Sequence, residues 1–250
     1  MIPPSNSFKR KNPAFRIPQS AFRNPHSLGL AFGLLALILP LALLAANDDA
    51  RLDNWIAAQT NMNTWKAELI QTRSLKTMTQ PLMATGRVWV ARPNQFRFEL
   101  GQPPQIIALR LPDQMLLIYP KLKRVEKYPL DTQKAGPWKD VLTLIEAGFP
   151  KSRADVDKHF KILSMVPTND LMCLTMQPTS ATMRRMLPEI KTTIRTNDSA
   201  LTATEIKSAD GSSMRNDFFN AEINSVFPPD IFKAPIEPGF TIVEPAGPQK

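Results

Sequence analysis

Residues able to do chemistry are few and far apart in this 250-residue chain. The two histidines are His26 and His159, and the single cysteine is Cys173. Ser-His pairs, Cys-His pairs and multi-histidine metal sites therefore cannot be assembled. Carboxylates are spread singly, apart from Asp48-Asp49, which open a helical pattern and suit the positive end of its dipole. Gly86 and Gly101 belong to no phosphate-cradling motif. Cys173, in DLMCLTMQP, reads as a small buried hydrophobe. One residue stands out. Arg92 lies in GRVWVARPNQFRFEL (86–100), between two aromatic-rich apolar stretches and just before a turn proline. Its side chain carries five N–H donors and no acceptor. The chain reads as non-catalytic, with no metal and no cofactor.

The elements that position Arg92 begin after an unusual front end. Residues 28–46, LGLAFGLLALILPLALLAA, are uncharged and apolar. Lys9, Arg10, Lys11, Arg16 and Arg23 precede them, and Asn47, Asp48 and Asp49 follow. A basic region, an apolar run and Ala45-Ala46 before a polar boundary describe an export signal cleaved near Ala46. The competing reading is a retained anchor, since about 20 apolar residues suffice to span a bilayer. Before the run, AFRIPQS and AFRNPHS form a repeat with no packable face, so residues 1–27 read as a disordered extension. The mature domain is expected over 47–250. Without residues 1–46 the basic count falls from 31 to 26 against 22 acidic residues, and the net charge from +9 to +4. Nucleic acid is a poor partner for such an exported chain.

Residues 48–61 place Leu52, Trp55, Ile56 and Gln59 at helical spacing behind an acidic first turn. Strand patterns follow at about 64–74, 83–91, 95–101, 105–111, 114–119 and 122–128, separated by Pro, Gly, Asn and Asp turns. The period then returns to helical over 136–150, with Pro137 suited to a first turn and Trp138, Leu142 and Ile145 on its apolar face. Residues 152–158 and 180–187 are candidates for a further short helix. Strands resume at about 159–165, 170–177, 189–196, 201–208 and 212–220, giving about eleven strands and three helices. Short gaps make neighbouring strands antiparallel.

Several strands are apolar on both faces. In MLLIY (115–119), Met115, Leu117 and Tyr119 point one way, and Leu116 and Ile118 the other; IIALRL (106–111) behaves alike. Either helices and loops cover the two faces as an ordinary core, or one face lines a cavity for an apolar ligand. Among the eleven methionines, Met172 and Met176 alternate along one strand, and such flexible side chains suit varied apolar partners.

The helix over 48–61, then TWKAELIQTRS, GRVWVARPNQFRFEL, Pro103, LLIYPKLKRVEKYPL and the end DFFNAEINSVFPPDIFKAPIEPGFTIVEP, together resemble the LolA family of periplasmic outer-membrane lipoprotein carriers. The likeness covers roughly residues 48–245. Its most specific piece is Gly86, Trp89, Arg92, Pro93, Asn94 and Phe96 in register. The chain departs from it at Leu111-Pro112-Asp113-Gln114, where the family commonly has an Asp-Gly turn.

The resemblance implies a mainly β fold: an incomplete, strongly curved antiparallel barrel with helices forming a lid over a hydrophobic cavity. It implies a monomeric carrier that shields lipoprotein acyl chains between the inner and outer membranes. The partners would be acylated lipoproteins, an inner-membrane ABC-type exporter and an outer-membrane acceptor. It also implies that Arg92 latches the lid by donating to backbone carbonyls of the lid helices when no ligand is bound. Without it, Arg92 is a strand-end arginine in solvent. Phe96, Phe98, Trp89, Leu117, Tyr119, Met172 and Met176 are the expected cavity residues. Leu52, Trp55, Ile56, Trp138, Leu142 and Ile145 are the expected lid residues. A lipid or glycolipid shuttle, and a periplasmic stress-sensing regulator of related fold, are the alternative functions.

Overall fold

A computed structural model describes residues 39–130 and 148–244, with side chains from Asp49 onward. By its internal contacts the chain divides into Met1–Leu41 and Ala42–Lys250, and everything below concerns the second unit. Of the helix predicted at 136–150, residues 136–147, with Trp138, Leu142 and Ile145, lie outside the described residues, and residues 148–150 are not helical.

Among the described residues, twelve strands form one open, curled sheet in the order β12-β6-β5-β4-β3-β2-β1-β11-β10-β9-β8-β7. The strands are β1 (Thr64–Ser74), β2 (Leu82–Ala91), β3 (Gln95–Leu100), β4 (Ile106–Arg110), β5 (Gln114–Tyr119), β6 (Arg124–Pro129), β7 (Phe160–Thr168), β8 (Leu171–Pro178), β9 (Glu189–Arg195), β10 (Leu201–Lys207), β11 (Ser213–Ile223) and β12 (Thr241–Val243). Eleven of them match the sequence reading closely. The twelfth, β12, escaped the strand count; it is three residues long and pairs in parallel with β6. Helix α1 spans Leu39–Thr60, α2 Arg153–His159 and α3 Ala181–Met186. The departure at 111–114 proves to be a tight hairpin turn, closed by the Leu111 amide donating to the Gln114 carbonyl at 2.9 Å.

Strand register assigns the faces, because residues directly opposite one another share a side of the sheet. Trp65, Val90, Phe96, Arg110, Met115 and Tyr128 form one continuous cross-strand row. We call their side the inner face. Leu52, Trp55 and Ile56 of α1 bury the β7–β9 part of that face, packing with Phe160, Met172, Leu174, Met176, Ile190 and Ile194.

The outer face of β4–β6 is apolar too, and carries Ile107, Leu109, Leu116, Ile118 and Val125. The C-terminal segment covers it with Phe232, Ala234 and Phe240. This accounts for the outer side of the double-faced strands: a segment more than a hundred residues away in sequence folds back over them.

Candidate functional site

The β1–β6 part of the inner face is an apolar floor built from alternate residues of each strand. Trp65, Val88, Val90, Phe96 and Met115 are buried, while Phe98, Leu100, Ala108 and Tyr128 are only partly so. One row runs Ala67, Val88, Phe98, Ala108, Leu117 and Glu126. Phe98, Ala108 and Leu117 in its middle are half-buried. Phe96 and Phe98, two apart on β3, stack with ring centroids 6.2 Å apart.

Gly86 lets β2 and β3 approach closely beside Phe98. It faces Leu100 across β2–β3, and a Cβ there would lie 2.2 Å from the Glu99 backbone oxygen. No side chain fits without parting the two strands.

Both flanks of 131–147 are fastened to this floor. Leu130 and Phe149 pack against its cluster. The Phe149 ring meets Trp65 edge-on at 5.0 Å, and Phe218 meets Trp65 from β11 at 5.3 Å.

The expected cavity residues therefore separate. Phe96, Phe98, Leu117 and Tyr119 share the inner face. Tyr119 stands near the sheet edge, where burial raises its phenol pKa, helped by Glu126 and opposed by Arg124. Met172 and Met176 also face inward but lie under α1, each 1 % exposed. Trp89 is on the other side. It pairs with Lys66 and Arg97 in register, on the outer face, and the Arg87 guanidinium stacks over its ring at 5.2 Å. The expected Cys173 is half-buried rather than buried, since its register puts it on the outer face, away from α1.

Arg92 follows β2, and its amide donates to the Asn63 carbonyl at 2.9 Å, at the α1–β1 junction. Its Nη2 is buried with no hydrogen-bond partner among the described residues. Burial lowers the guanidinium pKa, and attraction from Asp155 of α2 opposes that. A guanidinium stays charged regardless, so a buried unpaired N–H is a costly donor awaiting an acceptor.

An arginine that grips backbone carbonyls far away in sequence is Arg97, which the sequence pattern does not single out. Its Nη1 donates to the carbonyls of Ile231 (3.0 Å) and Lys233 (3.1 Å), holding the C-terminal segment against the outer face. The buried Glu99 fixes it from below through Nε at 2.8 Å. Asn224 makes a second long-range tie. Its side-chain oxygen accepts from the Asn63 amide at 2.7 Å and its Nδ2 donates to the Asn61 carbonyl at 3.2 Å, fastening the end of β11 to the α1–β1 junction.

Helix α1 is tied to α2 by Arg153, which reaches Asp49 (3.4 Å), Asp53 (3.6 Å) and Asp157 (3.5 Å). A small cleft beside α1 is lined by Arg51, Asn54, Trp55, Met172, Ile194, Arg195, Thr196 and Ser199. Two guanidinium groups in its wall make it unsuitable for an acyl chain. His159 lies near Asp155 at 3.8 Å. No group of three or more His, Cys, Asp or Glu among the described residues is arranged to hold a metal ion. No helix among them is long and apolar enough to cross a membrane.

Comparison with known proteins gives this geometry its relatives. The family profile described as outer membrane lipoprotein carrier protein LolA matches residues 60–235. No curated protein matches the chain. Among solved structures, an uncharacterized conserved protein from Thermus thermophilus is 9% identical with a TM-score of 0.45, covering 81% of this chain and 99% of its own. A LolA superfamily protein from Nitrosomonas europaea is 8% identical with a TM-score of 0.40, covering 75% and 97%. A putative outer membrane lipoprotein-sorting protein domain from Vibrio parahaemolyticus is 14% identical with a TM-score of 0.38, covering 76% and 95%.

Proposed function

We propose, starting from the fact that the chain belongs to the outer membrane lipoprotein carrier protein LolA family, that its inner face shelters the acyl chains of lipoproteins crossing the periplasm. The observation that carries this reading is the contrast between the two faces of β4–β5. The outer face is sealed by the C-terminal segment. On the inner face Phe98, Ala108 and Leu117 stay half-buried in one row. Each methylene sheltered there gains about 0.8 kcal/mol, which an acylated protein needs in order to travel through water.

In this reading the chain is exported, residues 1–46 are removed, and 47–250 works as a monomeric, non-catalytic domain. Helix α1 forms the described part of the lid. Arg92, at the α1–β1 junction where its amide donates to the Asn63 carbonyl, latches that lid by donating to backbone carbonyls when the floor is empty. An inner-membrane ABC-type exporter would load the carrier and an outer-membrane acceptor would unload it.

The test is mass spectrometry of apolar material that co-purifies with the protein from its native periplasm. Acylated lipoprotein is the expected cargo. Free phospholipid or glycolipid would replace the reading with a lipid shuttle, and a clean empty protein would overturn it.

A further inference from the structure

One end of the sheet brings three separate tips together. Strand β1 runs from the α1 junction to Ser74, which pairs with Ser213 at the start of β11. Beyond this pair, the Lys76 amide of the β1–β2 loop donates to Ser212 Oγ at 3.4 Å. The Ala209 amide of the β10–β11 turn donates to the Met186 carbonyl at the end of α3 at 2.9 Å. The β1–β2 loop, the β10–β11 turn and α3 therefore form one contiguous surface.

That surface is apolar in an unusual way. Leu75, Met78, Leu82, Met83 and Met186 are exposed there, Met83 to 67%. A soluble protein rarely leaves so many large apolar side chains together on its loop tips without a use for them. Around them stand the exposed cations Arg73, Lys76 and Arg185, with Arg184, whose Nη1 donates to the Pro178 and Thr179 carbonyls, and Lys207, which pairs with Glu189 at 3.4 Å. The exposed carboxylate among them, Asp210, is engaged as an acceptor from the Ser212 amide. Flexible thioethers ringed by cations fit a soft, negatively charged apolar boundary better than a shaped protein pocket, and an anionic bilayer surface is such a boundary. The strands that end here, β1, β2, β10 and β11, are all interior to the sheet, so no free edge is offered for a partner strand.

We propose that this end of the sheet seats the protein on an anionic phospholipid bilayer, with Met78 and Met83 entering the headgroup boundary and the surrounding cations meeting lipid phosphates. The surface is separate from the inner floor, so it is measured without cargo and its failure leaves the carrier reading untouched.

The experiment uses the full chain carrying Cys173→Ser and Met78→Cys, labelled at position 78 with an environment-sensitive fluorophore. Asn197→Cys in the same background labels the β9–β10 turn at the opposite end of the sheet, where the side chain is exposed. Vesicles of phosphatidylglycerol mixed with phosphatidylcholine are compared with phosphatidylcholine alone. A several-fold rise in emission at position 78 is expected with the anionic vesicles only. High salt should abolish it, as should adding Lys76→Glu and Arg185→Glu, provided the thermal unfolding of that variant is unchanged. Position 197 should stay silent. No rise at position 78 overturns the proposal. An equal rise at position 197 also overturns it, because the apolar run at 28–46 alone would bring both ends to the membrane. A response equally strong with phosphatidylcholine, or one seen only in membranes containing an integral protein, overturns it too.

Discussion

Arg97 and Glu99 lie two residues apart on the outer side of β3, with Arg97 Nη2 2.6 Å from Glu99 Oε1. Their side chains are 11 % and 6 % exposed. Glu99 also receives Arg87 Nη2 at 3.1 Å, so one buried carboxylate meets two guanidiniums. The arrangement is a peg. Glu99 orients the Arg97 fork, and the remaining donors of the fork take the carbonyls of Ile231 and Lys233. A fork of five fixed donors suits this double duty where a lysine would not.

Replacing Arg97 should therefore do more than remove a surface charge. Arg97→Met leaves Glu99 buried with only Arg87 beside it, and breaking a buried pair costs about 3–5 kcal/mol. The expected result is a lower thermal midpoint and new protease sensitivity between Phe227 and Phe240, read by mass spectrometry of the fragments. Unchanged protection there would detach the peg from the C-terminal segment.

Phe96 and Phe98 share a face but should respond differently to charge. Phe96 is 9 % exposed and belongs to the packed cluster around Trp65 and Met115, so Phe96→Glu buries an unpaired carboxylate and should destabilise the fold. Phe98 is half-buried, so Phe98→Glu should fold while losing cargo. The comparison needs thermal unfolding of both variants beside the lipoprotein bound per carrier. Equal unfolding of the two would make the whole floor ordinary core.

For Arg92 the stability and cargo measurements should diverge. A latch that donates to the lid only in the empty state supplies hydrogen bonds to that state alone, so Arg92→Leu should lower the thermal midpoint of the empty protein more than that of the loaded one. If the guanidinium closes the lid, removing it moves the equilibrium toward the loaded state, and the fraction of periplasmic carrier holding lipoprotein should rise while delivery falls. Arg92→Lys keeps the charge without the fork and should lie between the two. Normal loading and delivery in Arg92→Leu would make Arg92 a strand-end residue with no latch function.

Helix α1 should be held by its apolar face and not by its ion pairs. Trp55 is 1 % exposed over Met172 and Ile194, and Trp55→Ala should cost about 3–5 kcal/mol. Arg153 makes three contacts with carboxylates yet is 40% exposed, so Arg153→Ala should cost about 1 kcal/mol or less. Chemical denaturation of both variants decides the ranking, and the reverse order would mean that the charges hold the lid.

The parts of the fold legible in the sequence are those written locally. Eleven strands can be read because each carries its own alternation and turn residues, whereas three residues paired in parallel with a distant strand carry no such signal, and only the likeness of GFTIVEP to the family's final strand points to β12. The two-sided apolar pattern of 106–119 announced a cover on each face without naming it, because the outer cover is supplied by Phe232, Ala234 and Phe240. Trp89, grouped by the sequence with Phe96 and Phe98, lies on the outer face for a related reason. Parity separates it from Val88 and Val90, but the β2–β3 register, with Val90 opposite Phe96, is what decides which of them faces Phe98. Arg97 sat in plain view between two phenylalanines. Its acceptors lie 134 and 136 residues further on, where no local pattern reaches.

That distance has a consequence in time. A chain emerging at roughly 5–20 residues per second reaches Ile231 on the order of ten seconds after Arg97 has been made. Throughout that interval Ile107, Leu109, Leu116, Ile118 and Val125 have no cover of their own, and β6 has no β12 along its edge. The half-made sheet is then a sticky, open-edged intermediate, and a holding factor that keeps it from its neighbours would have to act until the last of the outer cover has been synthesised.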